Sequence, residues 1–83
     1  MNNMHSKDER REQIRNNIRN NLIRLRQKKG VTQEELGTVI DKSTNAIGSW
    51  EQGLSLPTIE TCCMLADYYG VSLDFLCSGS PKI

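Results

Sequence analysis

Residues Thr32–Gly53 read TQEELGTVIDKSTNAIGSWEQG, and the way this stretch divides decides the fold. Thr32 and Glu35 stand at the T-x-x-E spacing of a capping box. The hydroxyl accepts from a backbone N–H of the first turn, and the carboxylate reaches back to the cap. This predicts a helix over Gln33–Ile40 that buries Leu36, Val39 and Ile40. Asp41-Lys42-Ser43 then breaks it, because Asp tolerates a left-handed backbone and Ser43 is a natural N-cap. The next helix is expected from Thr44 to about Gln52, stopped by Gly53. Its apolar positions are sparse. Ile47 and Trp50 (i, i+3) supply one anchoring face, whereas Thr44, Asn45, Gly48, Ser49 and Gln52 leave the other small, polar and uncharged.

Upstream, Ile14, Ile18, Leu22 and Leu25 form one apolar stripe at helical spacing. Lys28 and Lys29 suit the negative end of that helix, and Gly30 ends it. Residues 1–12 carry many charges and no apolar periodicity, and are expected to be a charged flexible arm or the unpacked start of the helix. Downstream, Thr58 is the expected N-cap of a helix with Ile59, Cys62, Leu65, Ala66 and Tyr69 on one face, ended by Gly70. Val71 and Ser72 open a last short helix containing Leu73, Phe75 and Leu76. The end of the chain, residues 79–83, has turn and breaker residues and is expected to be a loose tail. This leaves 13–78 as the folded domain.

The chain has 83 residues, enough for one small helical domain. Aromatic residues make up 5%, and no stretch alternates long enough for a strand, so the fold class is all-α. Three cysteines (Cys62, Cys63 and Cys77) lack paired C-x-x-C spacing, so no metal is expected. Cys62 and Cys63 are read as small buried hydrophobes on the inner side of the fourth helix. With no secretion signal and no long apolar run, a cytoplasmic protein with reduced thiols is expected. No nucleophile–base–acid set and no Gly-rich phosphate loop occurs, so neither an enzyme nor a cofactor is expected. Lone His5, and Glu60, Asp67 and Asp74, are read as solvated groups. The net charge of +1 hides an asymmetry. Residues 1–30 hold nine Lys/Arg against three acids, net +6, while residues 31–83 carry a net −5. A basic third of this kind is an electrostatic footprint for a polyanion, or a solvated helix face.

Two short helices across a three-residue turn make a helix-turn-helix pattern. The second of them is anchored on one face only and presents amide and hydroxyl groups without bulk. That shape can enter the DNA major groove. The run TQEELGTVIDKSTNAIGSWEQG, followed by LPTIETCCMLADYYGVSLDFL, resembles the phage repressor and Cro (XRE-like) type of helix-turn-helix domain from about Asn20 to Ser78. The resemblance implies a compact five-helix, lambda repressor-like DNA-binding domain. It further implies a transcriptional regulator, of the repressor kind, acting as a homodimer on a palindromic double-stranded operator, cytoplasmic and nucleoid-associated in a bacterial or phage-infected cell.

The same resemblance implies roles for single residues. Thr44, Asn45 and Ser49 match positions that face bases. Gln33, Ser43, Arg26 and Gln52, with the Gly53 amide, match positions near phosphates, and Arg26 and Glu51 match a supporting ion pair. Ile47 and Trp50 match the core anchors. Phe75 and Leu76, on the last helix, match a dimer surface. The sequence departs from the family pattern at Gly37, where Ala is usual, and at Asp41, where Gly is common. Lys42 replaces an apolar residue and is thereby freed to reach a phosphate. The recognition helix lacks Arg and Lys, so the Arg-to-guanine contact is missing and an AT-leaning, partly shape-read operator is expected. A second class remains open: a protein-interaction module of the same fold, antitoxin-like or anti-repressor-binding, using the fourth or fifth helix or the basic arm.

Overall fold

The computed structural model describes the backbone of residues 3–78 and the side chains of residues 7–78. These residues form five helices and no strand: α1 (Asn3–Lys29), α2 (Gln33–Ile40), α3 (Thr44–Glu51), α4 (Ile59–Tyr69) and α5 (Leu73–Cys77). The tail expected over 79–83 and the side chain of His5 lie outside the described residues.

Local capping accounts for the boundaries of the last four helices. Thr32, Ser43, Thr58 and Ser72 each accept a backbone N–H with the side-chain hydroxyl. Each thereby satisfies one donor that the helix leaves unpaired. The Thr32–Glu35 capping box is complete, with both hydrogen bonds formed at 3.0 and 2.8 Å. Asp41 adopts the expected left-handed conformation, φ 58°, and Lys42 N–H closes the turn on Gly37 O at 2.9 Å.

The core is built from Ile18, Leu22, Leu36, Ile40, Ile47, Trp50, Cys62, Leu65, Ala66 and Leu76. The α1 stripe holds: Ile18 and Leu22 are buried, and Ile14 and Leu25 pack against them. α1 lies against α3 and α5, α2 against α3 and α4, and α4 against α5. One buried polar residue, Asn21, fastens the bundle. Its side-chain amide donates to the carbonyls of Phe75 (3.0 Å), Leu76 (3.0 Å) and Ser78 (2.8 Å). It serves as a cap, supplied by α1, for the end of α5, where helical carbonyls otherwise lack partners.

Several expectations need correction. Residues 3–12, left open between an arm and the unpacked start of the helix, are helical and continuous with α1, and Lys7–Gln13 are exposed on all sides. Their Glu, Arg, Gln and Lys are good helix formers, and the packed half of α1 already bears the cost of nucleation. Val39 is 51% exposed. In a two-turn helix the buried face is completed by Gly37 beside Leu36 and Ile40. Ile59 is 74% exposed, and Thr61 joins Cys62, Leu65 and Ala66 in facing inward. Cys63 is exposed, one residue and so about 100° around the helix from buried Cys62. Leu76, expected on a dimer surface, is a core residue at 1% exposure. The Asn21 staple on its carbonyl draws the last turn of α5 against α1.

Candidate nucleic-acid interface

α3 is held from behind. Ile47 and Trp50 are buried, and the next residue, Glu51, is gripped by α1 and α2 together. Arg26 donates from Nε to Glu51 Oε2 (2.7 Å) and from Nη2 to Oε1 (3.0 Å), a bidentate pair. Gln33 Nε2 donates to the same Oε1 at 3.0 Å. Burial alone would raise the Glu51 carboxyl. The hydrogen bonds from Arg26 and Gln33, with the Arg26 charge, outweigh it and hold the group below the usual carboxylate range. The same bond to Glu51 raises Arg26. Nearby, burial pushes the Tyr69 phenol up to about 12, and its buried hydroxyl has no hydrogen-bond partner among the described residues.

The outward face of α3 is open. Thr44 and Asn45 are exposed in its first turn, after Ser43, whose hydroxyl is occupied in capping as acceptor from Ala46 N–H (3.0 Å). Lys42 is exposed just before them. Gly48 lies one turn on. A Cβ there would stand 3.7 Å from Gln33 Oε1 and 3.7 Å from Gln52 Nε2. Gln33, Gly48 and Gln52 therefore lie side by side.

Besides Ser43 and Gln33, three more of the expected contacts have other engagements. Ser49 is half-buried and shares a 2.7 Å hydrogen bond with Ser55 of the following loop. The Gly53 amide, expected near a phosphate, donates to Trp50 O at 3.2 Å. Arg26 commits Nε and Nη2 to Glu51 and Nη1 to Val31 O (2.9 Å), which leaves it two of its five N–H donors. The Gln33–Glu51 and Ser49–Ser55 bonds had no sequence signal, because each joins residues whose approach depends on the packed angle between elements. Of the suggested dimer pair, Phe75 is half-exposed.

The helix-turn-helix family pattern matches residues 22–76, the segment that contains α2, α3 and α4 whole and both anchors of α3. The chain belongs to this family, in its Cro/C1 (XRE-like) branch. Its members are DNA-binding transcription regulators. A relative described as the HTH-type transcriptional activator BcrR of Enterococcus faecalis is 36% identical over 62 residues, 75% of this chain. The chain spans 30% of that relative's length. No solved structure gives a significant match. No helix among the described residues is long and apolar enough to cross a membrane.

Proposed function

We propose that this helix-turn-helix chain recognises a specific double-stranded DNA sequence by setting α3 in the major groove. Thr44, Asn45 and Ser49 face the base edges there. One observation carries the reading: the inner side of α3 is locked by Ile47, Trp50 and the Arg26–Glu51–Gln33 cluster, while its outer side is free of bulk and charge. Asn45 has the donor–acceptor pair that matches adenine, and Thr44 offers a methyl group to thymine. Gln33, Lys42, Ser43 and Gln52 surround α3 and position it on phosphates. Arg26 acts mainly through Glu51, with its remaining donors toward the backbone. Ser49 keeps hydrogen-bonding capacity for a base beyond its one bond to Ser55.

Homodimers on a palindromic operator would set two α3 helices about 34 Å apart, with half-exposed Phe75 at the seam. Repression is the sign implied by the sequence resemblance. The named relative is an activator, so a promoter–reporter assay is the measurement of sign. Exposed Leu54 and Ile59, each at 74%, favour the second reading, a protein-binding module.

Selection of binding sites from random duplex DNA tests the proposal. The parent should enrich one AT-leaning motif. Asn45→Ala with Ser49→Ala should lose about 1–3 kcal/mol of discrimination per base contact and keep salt-dependent background binding. A parent that enriches nothing, or a double variant as selective as the parent, would overturn the proposal.

A further inference from the structure

We propose that Arg15 and Arg19 form a phosphate-binding shelf that continues the DNA-facing surface of α3 onto the flank of α1. This rests on the DNA-binding reading above and extends the footprint beyond the bases that α3 reads.

The flank is identified by its neighbours. Arg26 on α1 reaches α3 through Glu51, and Arg19 lies seven residues earlier, two turns back on nearly the same side. Its aliphatic stem covers the turn that ends α3. A Cβ at Gly53 would stand 3.2 Å from Arg19 Cδ and 3.6 Å from Nε, and Gly53 itself has φ +78°. Arg15 follows one turn further back, about 6 Å along the axis. It borders a depression with Gly53, Leu54, Ser55 and Leu56. It also borders an adjoining cleft of about 390 Å³ that Gly53 closes at its α3 end. Ser55 in that depression is the residue bonded to Ser49. The path from the outer face of α3 to the arginines is therefore continuous.

The charges indicate the occupant. Among the described residues no carboxylate pairs with Arg15 or Arg19, whereas Arg11 meets Asp8 at 3.9 Å. Two unpaired guanidinium groups at successive turns fit a row of phosphates better than a single small anion. They also supply what α3 lacks, since it contains no Lys or Arg. Asp8, Arg11 and Glu12 line the far end of the cleft; with Arg11 paired to Asp8, the remaining carboxylate of Glu12 leaves that end net negative and repels a polyanion there. The shelf thus ends at Arg15, and only the phosphates flanking the α3 site are held.

The test uses the full chain and its selected duplex, with Arg15→Gln/Arg19→Gln as the variant. The parent slope of log K against log[salt] should fall in magnitude by about 2 in the variant, near 0.9 for each phosphate released. Phosphate-ethylation interference should disappear just outside the selected motif. Preference for the motif over random duplex should be unchanged, and the helical circular dichroism should match the parent. Arg15→Lys/Arg19→Lys should keep most of the slope. A parent that binds its motif while the Gln variant keeps the full slope and footprint overturns the shelf and leaves the proposed function standing. A parent that selects no duplex overturns both. Binding of polyglutamate as tight as that of duplex would make the flank an acidic-protein surface and overturn the proposal.

Discussion

At Glu51 one carboxylate accepts from Arg26 and Gln33 while nearly shielded, its side chain 9% exposed. Its folded pKa is depressed, so the stability it contributes is present above the ordinary glutamate value of about 4.3. That stability is lost as pH falls through the folded value. Glu51→Gln should therefore be less stable than the parent at pH 7, by about 2 kcal/mol, because it leaves a partly buried guanidinium without its counter-charge. The gap should narrow as pH falls below the ordinary glutamate range and through the depressed folded value, measured by urea denaturation at several pH values. Equal stability at pH 7, or a gap that widens in acid, would contradict the role given to this pair. Arg26 and Glu51 could be matched to each other from the sequence because the family pattern pairs them. Gln33 joining them could not, because its reach depends on the angle at which α2 meets α3.

At the scale of elements, the turn between α2 and α3 sets that angle, and two glycines around it have opposite characters. Gly37 is buried, and a Cβ there would run into the carbonyl oxygen of Lys42 while standing 3.4 Å from Ile47 Cδ1. Gly37→Ala should gain up to about 1 kcal/mol of helix propensity and lose about 1–3 kcal/mol to overpacking, a net destabilisation seen as a lower thermal midpoint. Gly48→Ala meets only ordinary contacts. It should raise the midpoint through propensity while weakening DNA binding, because the new methyl stands on the outward face. A stabilised Gly37→Ala, or a Gly48→Ala that binds as well as the parent, would show that these surfaces are misread. The helix limits from Thr32 to Gly70 were legible because each is written in local chemistry: a hydroxyl before the helix, and Gly or Asp after it. The faces were less so. Eight residues sample too little of the helical circle to separate Val39 from Gly37, and the inward Thr61 has no apolar signature. Asn21, polar at the edge of an apolar stripe, was not legible at all, since its partners lie more than fifty residues away.

Across the whole molecule, α1 is 27 residues long, about 40 Å, in a body 46 Å in its longest dimension. Only its second half is packed. The sequence left its start open between an arm and unpacked helix because nothing there decides it: Lys7–Gln13 are exposed, and helix continuation relies on propensity alone. The amides of residues 3–13 should therefore exchange with solvent through local fraying, while those of Ile18–Arg26 should need global opening. Hydrogen exchange read by NMR should show protection rising steeply near Ile14. Uniform protection along α1 would mean that the exposed half packs on something further. The continuity also has a mechanical consequence. α1 is a cantilever whose root is clamped by Asn21 to α5 and by Arg26 to α3, with exposed Lys7–Gln13 projecting beyond it. A load on that end would turn about the root, so it would reach Arg19 on Gly53 first, then the Asn21 clamp, and only then Arg26 on Glu51. The first and the last bear on α3, the helix proposed above to read DNA.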